Sequence, residues 1–247
     1  IASATALLFD VAGVTIVGLG VGSARPTFTF TTATTAKITV SVANVKISNC
    51  IFVGNFLSIA TCFLLTTAAG FTVDSCAFRD TSAILGFLSI ITTTVSVNSD
   101  GLTFTNNEVQ SDATTTPGPA LVIANTLDRL TVTGNVITHT VASNNVSALI
   151  EHGALVMTHL VCAYNKIYSI NTDTATGALM VKTTATTGSG MIFSNFIRAQ
   201  DPAGAIIVTA AAVQYGMFEN YFIGETTLLR GFLLPAGRGT PAGLPSV

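Results

Sequence analysis

The acidic residues with the best spacing for acid–base chemistry are Asp80 and Asp112, which occupy similar places in consecutive copies of a sequence repeat. If the copies stack as neighbouring strands, the two residues lie about 4.8 Å apart along the stack. Glycoside hydrolysis requires such a pair of carboxyl groups, one of them protonated. Arg79 stands beside Asp80 and completes the group. The non-catalytic alternative, which the sequence favours, is a solvated ion pair on a loop.

Three histidines and a glutamate form a second group with possible chemistry. They fall within 21 residues, and they are His139, Glu151, His152 and His159. Imidazole and carboxylate are common zinc ligands. The spacing fits no metalloprotease or deaminase motif, so the favoured interpretation is surface or interface histidines. We expect neither a metal nor another cofactor.

The four cysteines at positions 50, 62, 76 and 162 include no C-x-x-C pair, which argues against a zinc or redox motif. We expect four buried free thiols that pack as small hydrophobic side chains. The alternative is a disulfide between Cys50 and Cys76, which hold the same place in successive copies of the repeat. Adjacent coils rarely offer the side-chain geometry that a disulfide needs.

These residues are positioned by repeats of a short sequence motif, called here the phrase, that occurs seven times in the chain. It reads apolar, any, apolar, any, any, small polar, any, apolar, as in Leu102 to Val109. The sixth position of the seven copies is occupied by Cys50, Cys76, Asn107, Asn135, Asn165, Asn195 and Asn220. Successive copies of this position are 26, 31, 28, 30, 30 and 25 residues apart. An eighth copy is expected at Val14 to Leu19. A period of this length indicates stacked structural repeats.

Each copy of the phrase predicts two short strands around a bend. Leu102 and Phe104 are expected to point inward, and Asn106-Asn107 to form the bend, because Asn tolerates a left-handed backbone. Stacked Asn amides can then hydrogen-bond along the stack. A third strand is expected in the rest of each period, at Thr27 to Thr31, Ala83 to Ile91, Ala120 to Ile123, Ala148 to Ile150, Ala178 to Val181 and Ala205 to Val208.

These elements predict an all-β chain. We expect a single-stranded right-handed parallel β-helix of about eight coils, with three short strands per coil, over residues 1–234. Residues 235–247 contain three prolines and three glycines, and we expect them to form an irregular tail. The chain starts at Ile1 within a strand-like pattern, so we also expect residues before it.

Composition narrows the classes of partner. Charged residues make up 9% of the 247 residues, against roughly 25% in an ordinary globular protein. The mean hydropathy is +0.64, but no run of about 18 apolar residues predicts a membrane span. The net charge of −2 comes from scattered residues, which argues against nucleic-acid binding. A neutral surface of small residues suits burial against other subunits.

The Asn bend series and the coil length resemble the right-handed parallel β-helix superfamily, which includes pectate lyases, polygalacturonases and phage tailspikes. The resemblance covers roughly residues 5 to 234. More narrowly, Val14 to Phe28, Phe78 to Ser82 and Gly231 to Pro235 resemble β-helix proteins encoded among phage structural genes. This resemblance implies a virion part, such as a capsid decoration protein, a head fibre or a tail spike component.

We therefore expect a non-enzymatic virion structural protein that associates with itself, as a trimer, and with other virion proteins. The first alternative is a tailspike-like protein that binds or depolymerises host-surface polysaccharide; as an enzyme it would be a polysaccharide lyase or a glycoside hydrolase. The second alternative is an ice- or surface-binding adhesin, because Thr is frequent. Its Thr runs are contiguous and fall at uneven places, as loops do.

Overall fold

The structure is a computed structural model that describes residues 2–3, 7–32, 37–57, 59–82, 85–95, 98–111, 120–140, 148–153, 155–169, 179–183, 187–199, 206–208 and 213–224. The regular elements of these residues are short strands and one 3-10 helix, Gly22–Ala24. None of the helical structure in this part of the chain is long and apolar enough to cross a membrane. The predicted tail, 235–247, lies outside the described residues.

The strands follow one another in the chain as β1 Ala2–Ser3, β2 Leu7–Phe9, β3 Thr15–Val17, β4 Thr27–Phe30, β5 Ile38–Val40, β6 Lys46–Ser48, β7 Ile51–Gly54, β8 Phe63–Leu65, β9 Thr72–Asp74, β10 Ala77–Asp80, β11 Ile91–Thr93, β12 Thr103–Thr105, β13 Glu108–Ser111, β14 Leu121–Ile123, β15 Leu127–Asp128, β16 Thr131–Thr133, β17 Val136–His139, β18 Ala148–His152, β19 Val156–Ala163, β20 Lys166–Ser169, β21 Leu179–Thr183, β22 Thr187–Phe193, β23 Phe196–Ala199, β24 Ile206–Val208, β25 Val213–Phe218 and β26 Tyr221–Gly224.

Three parallel sheets run the length of the molecule, and each coil contributes a strand to each sheet. Sheet A has nine strands, in the order β1-β4-β7-β10-β13-β17-β20-β23-β26. Sheet B has eight, in the order β2-β5-β8-β11-β14-β18-β21-β24. Sheet C follows β25-β22-β19-β16-β12-β9-β6-β3, with β15 paired to β19 beside this path. The predicted fold class, an all-β parallel solenoid with three strands per coil, is confirmed.

The side chains alternate along each strand as the sequence predicts. In β12, Phe104 is fully buried, whereas Thr103 and Thr105 are only half-buried. The expected first copy of the phrase is also confirmed, because Thr15–Val17 pairs in register with Lys46–Ser48. Strands therefore form where β-branched and aromatic residues alternate between a packed interior and the surface.

One strand lies in a different sheet from the one predicted. Thr27–Phe30 was expected to be a third strand, but it pairs with Ile51–Gly54 in sheet A, and Ile38–Val40 supplies sheet B in that coil. The cause is the bend from sheet C to sheet A. Most coils complete this bend in two residues, but the first coil inserts a segment that includes the 3-10 helix Gly22–Ala24. The predicted strand from Ala83 to Ile91 overlaps its observed strand, Ile91–Thr93, at one residue only, and the remaining predicted third strands overlap strands of sheet B.

The bend from sheet C to sheet A depends on a left-handed backbone at one residue. Asn106 has φ 55°, and the equivalent residues with positive φ are Asn49, Ser75, Gly134, Tyr164, Ser194 and Glu219. At Gly134 the approach is also close, because a Cβ atom there would lie 2.5 Å from Oδ1 of Asn106. The first residue of the predicted Asn pair therefore makes the turn, and the second faces inward.

The inward Asn residues form a continuous amide ladder, as predicted. Oδ1 of Asn135 accepts hydrogen bonds from the main-chain N–H (2.9 Å) and from Nδ2 (3.1 Å) of Asn107. Asn135 in turn donates its main-chain N–H (3.0 Å) and its Nδ2 (2.9 Å) to Oδ1 of Asn165. The same pattern continues through Asn195 to Asn220. The ladder satisfies buried polar groups of every bend that it crosses.

The two cysteines at the ladder position replace this amide with sulfur. All four cysteines are free and buried, as expected, and the alternative Cys50–Cys76 disulfide is not formed. Asn107 Oδ1 accepts the main-chain N–H of Cys76 at 2.9 Å, so the amide ladder ends there. Burial raises the pKa of the Cys76 thiol to about 12, and a contact from the main-chain N–H of Cys50 opposes this rise. The sulfur of Cys76 therefore occupies the place of an amide oxygen.

A ladder of large apolar side chains fills the interior beside the amides. Phe52 and Phe78 stack with their ring centroids 5.1 Å apart, and both are buried. The same column continues as Val109, Ile137 and Ile167, which are also buried. This confirms the predicted apolar ladder for these residues. Phe222 aligns with Ile197 by its main chain, but its side chain lies outside the described part of the structure.

Candidate functional site

Arg79 lies on the outer face of β10 and connects two coils. Its guanidinium donates to Oε2 of Glu108 at 2.8 Å and to Oε1 of Gln110 at 2.8 Å. Both acceptors belong to β13, the next strand of sheet A. Arg79 therefore pairs with Glu108 and not with its sequence neighbour Asp80, because successive residues of a strand face opposite sides.

Asp80 ends β10 and uses both carboxylate oxygens within the fold. Oδ2 accepts a hydrogen bond from Oγ of Ser111 at 2.6 Å, and Oδ1 accepts the main-chain N–H of Phe87 at 3.1 Å. Gly86 lies directly against the carboxylate, since a Cβ atom there would overlap it. Asp80 thus fastens the chain after β10 to the next coil. Asp112, the other member of the predicted pair, lies outside the described residues.

The register of sheet A brings Asp80 into one column with His139. Successive strands align Asp80 with Gly54 and Ser111 with His139, and His139 with Ser169. Because β10 and β13 are also in register, the polar column reads Asp80, Ser111, His139, Ser169. From the sequence, Asp80 and His139 were expected to belong to two unrelated groups. The available signal was the shared position four residues after the ladder residue of each coil.

The order of this column differs from that of a proton relay. In serine hydrolases the histidine lies between the carboxylate and the serine, so that it can take the serine proton. Here Ser111 lies between Asp80 and His139, and it donates directly to the carboxylate. Ser111, His139 and Ser169 are all buried. The column therefore joins Asp80 to Ser111 across two coils, in an order that is not that of a catalytic triad.

His139 is held in the neutral form by its surroundings. Its side chain is 94% buried, since only 6% remains exposed, and Nδ1 has no hydrogen-bond partner among the described residues. Burial lowers the pKa of His139 from 6.5 to about 4. Protonation would place a charge beside Ser111 and Ser169, neither of which carries a compensating charge.

The low pKa of His139 predicts that stability depends on pH. Because the unfolded chain binds a proton near pH 6.5 and the folded chain only near pH 4, stability is full above about pH 6.5 and falls between these values. The expected loss is on the order of 3 kcal/mol. Urea unfolding at several pH values should show this slope, and His139→Gln should reduce it. An equal slope in both proteins would mean that His139 is accessible to protons when folded.

The three histidines considered for a metal lie at three separate places. His152 is buried in sheet B, where Nδ1 lies 3.3 Å from Oγ1 of Thr183 and Nε2 lies 3.3 Å from the carbonyl of Asn125. Burial lowers its pKa, and the contact with Asn125 opposes this effect. His159 is exposed at the bend that precedes the last part of β19. Within the described ranges no three potential ligands converge on one point.

His159 belongs to a surface cluster around Asp128. Oδ1 of Asp128 lies 2.5 Å from Nδ1 of His159 and accepts a hydrogen bond from Oγ1 of Thr158 at 2.7 Å. Oδ2 of Asp128 forms an ion pair with the guanidinium of Arg129 at 2.8 Å. Hydrogen bonds from His159 and then Thr158 lower the pKa of Asp128. Thr158 and His159 belong to the coil that follows Asp128, so this cluster also connects two coils.

Most described carboxylates share this role. At least six of the eight acidic residues in the described ranges bind a group of an adjacent coil, and they are Asp74, Asp80, Asp100, Glu108, Asp128 and Glu219. At Asp74, for example, Oδ1 accepts hydrogen bonds from Oγ1 of Thr105 at 2.7 Å and from Nδ2 of Asn106 at 3.1 Å. We call these contacts inter-coil carboxylate bonds. Sequence reasoning missed them because they depend on the register between coils.

Comparisons with protein-family models, with curated proteins and with solved structures gave no match for this chain.

Proposed function

We propose that this protein is a non-enzymatic structural component of a phage virion, a rod that acts through assembly and display on the particle. The observation that carries the proposal is the set of inter-coil carboxylate bonds. An acid or base must place its carboxyl oxygen within hydrogen-bond reach of a substrate. Most of the described acids instead direct a carboxylate oxygen to the neighbouring coil, as Asp80 does to Ser111.

The mechanical consequence of these bonds supports the same function. Neighbouring coils are joined by three parallel sheets, by the amide ladder and by the inter-coil carboxylate bonds. In a solenoid each coil contacts only its neighbours, so stability is close to a sum over these interfaces. Strengthening every interface gives a stiff rod, which suits a protein that must hold its shape on a particle. The resemblance of the sequence to phage-encoded β-helix proteins supports a virion as that particle.

Low charge supports assembly as the mode of action. With 9% charged residues and a net charge of −2, the protein has little electrostatic repulsion between copies. We expect a homotrimer that also contacts other virion proteins, because closed point-group symmetry is usual for such assemblies.

A polysaccharide-binding or depolymerising spike remains the second candidate, and the exposed aromatic rings of Tyr164 and Tyr221 favour it. The adhesin alternative gains less support. Outward Thr-x-Thr pairs occur in two consecutive strands, Thr103–Thr105 and Thr131–Thr133, but the next strand of sheet C aligns Val161 and Ala163 with them.

The proposed function is tested by removing the ionisable groups while keeping their shape. We expect Asp80→Asn and Asp112→Asn to leave incorporation into particles unchanged, and the purified protein to cleave neither capsular polysaccharide nor pectin. Asn at position 80 retains an oxygen for the N–H of Phe87. Cleavage by the wild type that either substitution abolishes would overturn the proposal in favour of the enzyme.

A further inference from the structure

The last three coils carry an exposed group of aromatic side chains on both sides of the bend between sheets C and A. We call it the aromatic strip, and it consists of Tyr164, Tyr168, Phe193, Phe196, Phe218 and Tyr221. Phe193 and Phe218 align on the outer face of sheet C. Phe196 and Tyr221 align on the outer face of sheet A. Tyr164 lies at the bend itself.

The rings of the strip pack on one another outside the solenoid. Phe193 and Phe218 stack at 4.8 Å with planes 8° apart, and Tyr164 meets Phe193 edge-on at 5.5 Å. Even so, Tyr164 is 61% exposed, Phe218 46% and Tyr221 65%. Contiguous apolar surface of this kind on a soluble protein marks a contact with another molecule.

The strip is confined to one end of the rod. In sheet C the column of Phe193 and Phe218 carries Asp74, Thr105 and Thr133 in earlier coils. In sheet A the residue aligned with Phe196 in the preceding strand is the exposed Lys166. Two strands before Lys166 the aligned residue is Glu108, so the aromatic residues of this column begin at Phe196. The aromatic residues are therefore not a general feature of the outer faces of this solenoid.

Charges beside the strip indicate what covers it. Lys166 and Arg198 are exposed on the sheet A side, whereas Glu219 is exposed at the bend and accepts Oγ of Ser194 at 3.1 Å. If the sheet A side of one copy lies against the sheet C side of the next, the basic residues of one copy approach Glu219 of the other. Such a head-to-tail contact closes into a trimeric ring when each copy is rotated by a third of a turn from the last.

The size of the strip is close to what a stable contact needs. Six aromatic side chains of ~150–250 Å² each, roughly half exposed, offer about 600 Å². A standard interface buries about 800 Å² on each partner, and Met191, 51% exposed beside Phe218, adds to the area. Aromatic residues are also the side chains that contribute most in interface cores.

We infer that the aromatic strip is the surface through which copies of this chain bind one another. This inference rests on the proposed function and identifies the face that would mediate self-assembly. Tyr164 and Phe218 form its centre, and Lys166, Arg198 and Glu219 set the relative orientation of the copies.

Sedimentation velocity over a range of concentrations tests the inference. The double substitution Tyr164→Ser, Phe218→Thr should raise the dissociation constant of the oligomer at least 30-fold. Both replacements occur naturally at the equivalent places of other coils, at Ser194 and at Thr133, so the fold should persist in far-UV circular dichroism. The matched control is Val17→Ser, an equally exposed apolar residue of sheet C at the other end of the rod.

A charge reversal tests the orientation. Glu219→Lys should weaken association, and adding Lys166→Glu should restore it. If the wild type is oligomeric but the strip variants associate as tightly, the strip is not the interface and the proposed function stands. A monomeric wild type would overturn both. A monomer that binds polysaccharide through Tyr164 and Phe218 would assign the strip to a glycan instead.

Discussion

Replacing Phe78 with alanine is expected to lower the free energy of unfolding by about 3–5 kcal/mol, because it opens a cavity in a core that cannot collapse around it. The Phe78 ring stacks on Phe52 at 5.1 Å, meets Phe63 edge-on at 6.2 Å and lies 6.1 Å from Phe104. All four rings are buried. The coils on both sides of Phe78 are held in place by the sheets. Removing the ring therefore weakens the packing of its coil against both neighbouring coils.

Urea unfolding of wild-type protein, of Phe78→Ala and of Leu8→Ala measures this effect. Leu8 is 57% exposed, so its truncation removes apolar surface without creating a cavity, and the expected change is below about 1 kcal/mol. A change of less than 1 kcal/mol for Phe78→Ala would show that Phe78 does not face the interior.

The second large effect is expected at the amide ladder. Asn135→Ala removes the acceptor of the Asn107 main-chain N–H and the donor to the carbonyl of Phe104, which lies 2.9 Å from Nδ2. The Asn107 N–H is then buried without this acceptor, which costs about 1–3 kcal/mol, and the Phe104 carbonyl loses one of its hydrogen bonds. Together with the lost contact to Asn165, the expected decrease in unfolding free energy is roughly 3–5 kcal/mol, again measured by urea unfolding.

Two variants control for this interpretation. Asn106→Gly changes the exposed Asn of the same bend and keeps its left-handed backbone accessible, so it should cost less than about 1 kcal/mol. Cys76→Asn extends the ladder by one coil and should be at least as stable as the wild type. Equal losses for Asn135→Ala and Asn106→Gly would show that the ladder contributes no more than an ordinary surface bend.

The fold could be predicted because Asn recurs at one place in five successive coils. The spacing of Asn107, Asn135, Asn165, Asn195 and Asn220 fixes both the period and the register, and the apolar residue two places later then falls in one column. Thr27–Phe30 was assigned to the wrong sheet because the inserted segment before it hides the short bend that marks the start of sheet A.

The polar contacts could not be predicted in the same way. The partners of Arg79 and Asp80 depend on which residues lie opposite them in the next coil. Predicting those partners requires the register between the two strands to be correct to within one residue. Arg79 finds Glu108 on the outer face, while Asp80 finds Ser111 at the inner edge. The aromatic strip was missed for a related reason, since Tyr164 occupies a left-handed bend position where strand alternation no longer tells inside from outside.

We propose that this protein works as part of an assembly and not as a free catalyst. Sedimentation equilibrium of the purified 25.4 kDa chain is the decisive measurement, because mass is measured without reference to any activity. We expect a single species with about three times the mass of one chain, dissociating only on dilution. A mass of one chain at every concentration would contradict it.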